Sequence, residues 1–199
     1  MIRTPEALIP YIVALAAFLA GLAWHLADSI PHLGQTIVSG KIEVGGPFHL
    51  IDQDGAPRED RDFRGRWMTI YFGYTHCPDV CPLTLSLMSD VMQRLGGKSS
   101  HIVPIFITVD PARDTPKIMK AYVASFGKNF LGLTGDAKSI ALAEREYRVA
   151  AIRHPLPGGD YAMDHSSTIY LMDPGGKFVM DYDDSTKPDD IAADIAKRL

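Results

Sequence analysis

The chain has 199 residues, of which 46% are hydrophobic and 22% charged, and its formal net charge is −4 at neutral pH. This composition is typical of a globular protein, and the length suits one ordinary domain with an appendage. The negative net charge and the lack of a lysine and arginine cluster exclude a nucleic-acid-binding surface, because such a surface needs a basic face that displaces counterions.

The N-terminal region contains an apolar run at residues 8–27 without Asp, Glu, Lys or Arg. A helix of this length spans about 30 Å, the thickness of the hydrocarbon core of a bilayer. The sequence therefore predicts a transmembrane anchor at residues 8–27, preceded by a short cytoplasmic stub at residues 1–7. A cleaved signal peptide is the alternative, but the run exceeds the usual apolar region of such peptides.

Flanking charges predict the orientation of this anchor. Arg3 and the terminal amine precede the apolar run, and Lys41 follows it at a greater distance, which favours a cytoplasmic N-terminus. Residues 28–46 contain several glycines and are predicted to be a tether. Residues 47–199 then form a domain that faces the periplasm, or the intermembrane space in a mitochondrion, where disulfides persist.

Strand-like and helix-like patterns alternate along this domain. In chain order we expect strands at 48–51 and 67–74, a helix at 82–95, a strand at 101–109, a helix capped by Asp114 or Thr115 with Pro116 in its first turn, a strand at 131–133, a helix at 136–149, an irregular stretch at 155–159, strands at 168–172 and 178–182, and a helix at 188–199. The order is βαβα, an inserted βα unit, then ββα. It predicts an α/β, thioredoxin-like fold with an inserted βα unit, behind the N-terminal transmembrane helix.

The only two cysteines, Cys77 and Cys81, lie at the junction between a predicted central strand and the helix that follows it. This is the usual place for a site in an open α/β sheet. The positive end of the helix is expected to favour the thiolate form of Cys81. The pair predicts either a disulfide, structural or redox-active, or a soft metal site that prefers Cu(I) or, less selectively, Zn(II).

Pro82 is expected at the first position of that helix, because its ring fixes φ at a helical value. Cys81 precedes a proline and is therefore disfavoured from the α region. We accordingly expect Cys77 to Cys81 to form a loop over the helix start. Asp79 is expected to be a loop-capping carboxylate, and a role as an outer-sphere group is the alternative. His76 is a weak ligand candidate, because neighbouring side chains in an extended loop point apart.

The best candidate for a third metal ligand is His165, at the entry to a hairpin strand. In a thioredoxin-like fold this loop packs beside the first strand-to-helix junction, so the imidazole would face both sulfurs. Two sulfurs and one nitrogen suit Cu(I), whereas structural zinc almost always takes four protein ligands. Asp164 would either orient the ring or serve as a turn residue. A surface or capping role is the alternative for the histidine.

Several segments of the sequence together resemble the SCO/SenC family of copper chaperones for cytochrome c oxidase. They are Gly45-Gly46-Pro47-Phe48, Asp62-Phe63-Arg64-Gly65, Tyr71-Phe72-Gly73-Tyr74-Thr75-His76-Cys77-Pro78-Asp79-Val80-Cys81-Pro82, Val109-Asp110-Pro111-Ala112-Arg113-Asp114-Thr115-Pro116 and Asp164-His165-Ser166, in that order. The resemblance covers residues 45–199, and the combination of the cysteine block with a distant Asp-His-Ser is more specific than either alone.

This resemblance implies a function. Cys77, Cys81 and His165 would be the copper ligands of a membrane-tethered factor. The protein would deliver copper, received from a donor protein, to the CuA centre of cytochrome c oxidase subunit II, or would reduce the cysteines of that centre. It would not be an enzyme with turnover.

Two other functions remain open at this stage. In the first, the protein is a membrane-anchored thiol-disulfide oxidoreductase with Cys77 and Cys81 as its redox pair, and His165 only tunes the thiolate. The fold also allows a thiol peroxidase. Copper delivery and thiol exchange are compatible, because a chaperone for a dithiol copper site can need both.

Overall fold

The computed structural model describes residues 14–15, 17–22, 25 and 44–199. The chain divides into two compact units, Met1–Lys41 and Ile42–Leu199. The described residues of the first unit are helical. Among the residues described, no helix has both the length and the hydropathy of a membrane span. Much of the predicted anchor at 8–27, the stub at 1–7 and most of the tether at 28–46 lie outside the described residues.

The described part of the second unit, residues 44–199, contains nine strands and four α-helices. In chain order they are β1 (His49–Asp52), β2 (Pro57–Glu59), β3 (Trp67–Gly73), α1 (Val80–Leu95), β4 (Ile102–Thr108), α2 (Pro116–Ala124), β5 (Leu131–Thr134), α3 (Ala137–Glu146), β6 (Ala151–Pro155), β7 (Tyr161–His165), β8 (Thr168–Met172), β9 (Phe178–Asp183) and α4 (Pro188–Ala196). Short 3₁₀ helices occupy Asp60–Phe63, Gly96–His101 and Pro157–Gly159.

A seven-stranded mixed sheet has the order β2-β1-β5-β4-β3-β8-β9. Strand β4 pairs in parallel with both β3 and β5. The outer strands pair antiparallel: β1 with β5 and β2, and β8 with β3 and β9. Strands β6 and β7 form a separate antiparallel hairpin. The mixed α/β architecture and the inserted βα unit, which is β5 with α3, agree with the sequence prediction.

The core lies around the central strands β3 and β4, which are buried along almost their whole length. Both are continuous apolar runs, as expected for strands covered on both faces. Helix α1 buries a stripe at helical spacing that includes Cys81, Leu85 and Met88, and it packs against α4. Helix α1 follows β3, so its start lies at the carboxyl end of that strand.

Strands β2, β6 and β7 have no counterpart in the sequence prediction. Strand β2 has only three residues, and β6 is exposed at every residue after Ala151, so neither shows the apolar alternation that predicts a strand. The stretch at 155–159, expected to be irregular, is the end and turn of the β6–β7 hairpin. Helix α3 ends at Glu146 rather than at the predicted residue 149. Arg148, two residues after the end of this helix, adopts a positive φ of 58°.

Candidate metal centre

The two cysteines lie where β3 passes into α1, as the sequence predicts, but the helix begins earlier than expected. It starts at Val80, so Cys81 is its second residue and Pro82 its third. The expectation that Cys81 lies in a loop before the helix is therefore wrong. A proline is tolerated at this position because the first backbone N–H groups of a helix have no partner within the helix.

Asp79 occupies the N-cap position of α1, but its side chain makes no capping hydrogen bond. The Cys77 sulfur takes that role instead, because the Cys81 backbone N–H donates to Cys77 Sγ at 3.4 Å. The predicted capping carboxylate is thus replaced by a sulfur. The consequence is that Cys77 Sγ is held over the first turn of the helix, close to Cys81.

His165 is the last residue of β7 and meets the cysteines across the fold. Its Nε2 lies 3.2 Å from Cys81 Sγ, and one ligand atom from each of Cys77, Cys81 and His165 lies within 4.8 Å of the others. Cys81 is buried, Cys77 is half-buried, and both are free thiols. The structure therefore brings together all three residues predicted as ligands.

The orientation of the His165 ring is set by its backbone neighbour. Nδ1 lies 3.2 Å from the Ser166 carbonyl oxygen, so a proton on Nδ1 leaves the lone pair of Nε2 facing Cys81. Burial lowers the pKa of His165, which favours the neutral imidazole that a metal requires. Asp164 does not contact the ring: its carboxylate pairs with His154 Nε2 at 2.7 Å and is largely exposed.

Two tyrosines enclose the imidazole. The rings of Tyr71 and Tyr74 meet the His165 ring edge-on, at centroid distances of 6.0 and 5.8 Å. The Tyr71 hydroxyl is buried and makes no hydrogen bond of normal geometry to the described residues. It therefore remains available as a donor at the site. Sequence reasoning identified neither tyrosine as part of the centre.

The protonation state of Cys81 differs from the sequence expectation. Burial raises the pKa of its thiol to about 12, with a further rise from Cys77, whereas the Tyr74 backbone and the Tyr71 hydroxyl oppose it. Removal from water therefore outweighs the favourable helix end, and Cys81 is a neutral thiol in the metal-free protein. Metal binding must displace its proton.

Gly73 provides the space that the Cys81 sulfur occupies. A Cβ at this position would lie 2.9 Å from Cys81 Sγ and 2.9 Å from an edge carbon of Phe106. Both distances are shorter than van der Waals contact, so any larger residue would push the sulfur away from His165. The requirement depends on tertiary packing, and sequence reasoning missed it.

Asp114 holds the cysteine loop, the segment between β3 and α1 that carries Cys77, through hydrogen bonds to its carboxylate. It is fully buried and accepts hydrogen bonds from the Thr75 backbone at 3.0 Å, the Thr75 hydroxyl at 2.6 Å and the Thr108 hydroxyl at 2.6 Å. It thereby ties the cysteine loop to the end of β4.

His76, the weak candidate, is half-exposed, and its Nδ1 lies 3.2 Å from the Thr75 hydroxyl. It does not join the three-residue cluster.

The chemistry of this cluster fits a soft cation. Two sulfurs and a neutral imidazole are donors that Cu(I) prefers over hard cations. Within the described part of the chain, Cys77, Cys81 and His165 form the one group of three or more His, Cys, Asp or Glu residues placed to hold an ion. The same sulfurs are close enough for a disulfide after a small shift of either side chain.

The match to known proteins covers the whole of this domain. The family model described as SCO1/SenC matches residues 38–199. The chain belongs to the SCO1/SenC family. The family inferred from the cysteine block and the Asp-His-Ser motif is thereby confirmed.

A curated relative and two solved structures illustrate the similarity. "Protein SCO2 homolog, mitochondrial" of Danio rerio is 42% identical over 163 residues, which cover 80% of this chain and 58% of that protein. The structure of Bradyrhizobium japonicum ScoI with copper bound is 46% identical, with a TM-score of 0.74, and the match covers 78% of this chain and 99% of that one. BsSco, described as carrying a disulfide switch and as a member of the Sco family of cytochrome c oxidase assembly proteins, is 29% identical, with a TM-score of 0.63 over 79% of this chain and 96% of that one.

Proposed function

We propose that this protein binds copper through Cys77, Cys81 and His165. We further propose that it delivers copper to the CuA centre of cytochrome c oxidase subunit II, or maintains the thiols of that centre, during assembly. The observation that carries the proposal is the convergence of three soft donors, with Cys81 Sγ and His165 Nε2 3.2 Å apart. The copper-bound ScoI relative and the assembly role stated for BsSco support it.

The burial of the donors suits a site that accepts and releases its cargo. Cys81 is fully buried, whereas Cys77 and His165 are both half-buried. An incoming thiolate of the acceptor would therefore reach the copper from the side where Cys77 and His165 lie, and would displace one of these two ligands first. Cys81 and the remaining ligand would retain the ion until the acceptor supplies its own ligands.

The anchor and its orientation are part of the proposal. Residues 8–27 would cross the inner membrane once, residues 28–46 would form the tether, and residues 47–199 would face the periplasm or the mitochondrial intermembrane space. The length and uniform apolarity of the run at 8–27 support this topology. A copper donor protein would meet the domain in the same compartment.

A thiol-disulfide oxidoreductase is the second candidate function. Two free thiols at the β3–α1 junction are placed for exchange with a client disulfide, and a disulfide switch is described for BsSco. In this alternative His165 tunes the thiols and does not hold copper. The two functions differ in what they require of His165.

The substitution His165→Ala separates these functions. It removes one of three donors, so the Cu(I) affinity of the full chain should fall by about tenfold or more, because even the loss of an outer-shell group costs about 10- to 100-fold. The Cys77–Cys81 disulfide should still form. In cells that lack the native protein, the variant should leave the oxidase short of CuA. Competition with a Cu(I) chelator and CuA content measure these effects.

The matched control is His154→Ala, which removes an exposed imidazole on the same hairpin. This control should bind copper normally and restore the oxidase. Unchanged copper affinity with normal CuA content in His165→Ala would remove His165 from the site. That result would favour the oxidoreductase.

A further inference from the structure

The hairpin that carries His165 is not part of the main sheet. Within the described residues, strands β6 and β7 pair only with each other, from Ala151 opposite His165 to Pro155 opposite Tyr161. Most of β6 is exposed. Ladder hydrogen bonds to the seven-stranded sheet therefore do not hold the hairpin against the cysteine loop, and side-chain contacts must do so.

We propose that Asp110, Arg113 and Tyr161 form a latch that holds this hairpin in place and thereby positions His165 opposite the cysteines. The three are positioning residues and do not themselves bind copper. The inference deepens the proposed function, because its effect on copper affinity rests on copper binding at this site. The effect of the latch on the position of the hairpin does not depend on copper binding.

Hydrogen bonds connect the latch across the two parts of the fold. Arg113 Nη1 donates to the Tyr161 carbonyl oxygen at 3.0 Å and to Asp160 Oδ1 at 3.1 Å. The Tyr161 hydroxyl donates in turn to Asp110 Oδ1 at 2.7 Å, and Arg113 Nε bonds to the other oxygen of Asp110. Arg113 and Asp110 lie in the loop after β4, whereas Tyr161 begins β7. Three of these hydrogen bonds thus join the loop to the hairpin, and the fourth, between Arg113 and Asp110, lies within the loop.

Contacts between the Arg113 guanidinium and aromatic rings add to these hydrogen bonds and connect the latch to the metal site. The Arg113 guanidinium carbon lies 3.6 Å from the centre of the Tyr161 ring and 5.7 Å from that of Tyr74. The Tyr74 ring contacts the His165 ring edge-on. Because the Arg113 side chain is 17% exposed and that of Asp110 is 4% exposed, the charge pair is shielded from water and its geometry is constrained.

One loop therefore supports both halves of the metal centre. Asp114 ties it to Thr75 in the cysteine loop, and Arg113, three residues from Asp110, ties it to the hairpin. The loop follows β4, the strand next to β3, so it lies at the same edge of the sheet as the cysteines. A single segment thus fixes the distance between the sulfurs and the imidazole.

The latch acts on copper affinity through the population of competent conformers. When only a fraction of molecules has His165 facing the sulfurs, the apparent dissociation constant equals the intrinsic one divided by that fraction. Loss of the latch lowers this fraction and weakens binding. Disulfide formation between Cys77 and Cys81 does not need the hairpin, so it serves as an internal reference.

The test uses Tyr161→Ala and Tyr161→Phe in the full-length protein, with Arg153→Ala as the matched control. Arg153 also lies 3.6 Å from the Tyr161 ring centre, but it belongs to the hairpin itself and makes no link to the loop after β4. In the copper-free protein, amide hydrogen exchange of residues 151–165 should accelerate about tenfold or more in Tyr161→Ala. Exchange in β3 and β4 should stay unchanged, which shows that the fold is intact.

Copper binding supplies the second readout, measured by competition with a Cu(I) chelator. Tyr161→Ala should weaken binding by about tenfold or more, as for other outer-shell losses. Tyr161→Phe, which keeps the ring but loses the bond to Asp110, should have an intermediate effect, and Arg153→Ala should stay within about twofold of the native protein. The Cys77–Cys81 disulfide should still form in all four proteins.

Unchanged hairpin exchange in Tyr161→Ala would overturn the latch, as would an equal acceleration in Arg153→Ala. Accelerated exchange with unchanged copper affinity would overturn the claim that the latch sets affinity. If the native protein binds no copper at all, the proposed function fails, but the exchange measurement still decides whether the latch exists. The two failures are therefore distinguishable.

Discussion

Cys81 is fully buried between β3 and α1, and its protonation controls how the site responds to pH. Burial raises the pKa of its thiol to about 12, and burial lowers the pKa of His165 below its usual value of 6.5. Above neutral pH the metal-free site thus holds a protonated thiol and a neutral imidazole. Copper competes with a proton at Cys81 but not at His165.

The Cu(I) affinity should therefore rise with pH by at least about tenfold per unit between pH 7 and pH 9, because binding releases the Cys81 proton throughout this range. The slope follows from the sign of the shift: the pKa of Cys81 lies above the range, and that of His165 lies below it. Chelator competition at a series of pH values measures the slope, with the chelator calibrated at each pH. An affinity that does not change with pH would show that Cys81 keeps its proton or does not bind copper.

At the residue scale, the sequence predicts the donors but not the groups that position them. Cys77, Cys81 and His165 carry chemistry that is visible in their residue types and motifs. Gly73 matters only because Cys81 Sγ lies above it in the folded protein. Arg113 matters only because its loop meets a hairpin about fifty residues further along the chain. Such contacts depend on tertiary structure, which local patterns do not encode.

At the scale of elements, the loops after β3 and β4 act as a pair. The β3–α1 loop carries the cysteines, and the β4–α2 loop supplies Asp114, whose carboxylate accepts three hydrogen bonds from Thr75 and Thr108. An asparagine at this position has a single acceptor oxygen, and its NH₂ group would face donors. The connection between the two loops therefore depends on the carboxylate.

Asp114→Asn should lower the free energy of unfolding by about 2 kcal/mol, because a fully buried donor loses its acceptor. Urea unfolding followed by circular dichroism measures the change. Asp90→Asn is the control: Asp90 is an exposed residue of α1 whose carboxylate lies 3.8 Å from Arg94, so it should change stability by less than about 0.5 kcal/mol. Equal changes in the free energy of unfolding in the two variants would contradict the role of Asp114 in connecting the two loops.

The long buried elements are predictable from the sequence, and the exposed ones are not. Strands β3 and β4 read as apolar runs, and α1 shows a helical stripe. The β6–β7 hairpin alternates polar and apolar residues only weakly, because it packs on little of the core and leaves Ile152 and Leu156 exposed. Helix α1 begins at Val80, two residues before the predicted start at Pro82, because the restriction before proline is a tendency that tertiary packing overrides here.

At the scale of the whole molecule, the apolar run and the globular domain are expected to be separable. The run ends at residue 27, whereas the first strand of the sheet begins at His49. A fragment starting at Gln35 should therefore be soluble and folded, and the full chain should fractionate with membranes. Fractionation and circular dichroism measure both properties. Recovery of the full-length chain in the soluble fraction, or processing after Ala27, would contradict the anchor.

The membership of the SCO1/SenC family and the mixed sheet agree with what the sequence predicts, although the order of strands in space does not follow from local patterns. Strand β5, from the inserted βα unit, lies between β1 and β4, so β1 joins the sheet through the insertion. The pairing of β1 with β5 is fixed by contacts between segments about eighty residues apart. Only the folded chain shows it.

X-ray absorption spectroscopy of the reduced full-length protein loaded with one equivalent of Cu(I) tests whether Cys77, Cys81 and His165 hold the ion, because it counts the atoms bound to copper. We expect one copper per chain, bound by two sulfurs and one nitrogen, with the nitrogen lost in His165→Ala. A native spectrum that contains only sulfur ligands, or that is identical in His165→Ala, would contradict the three-residue site.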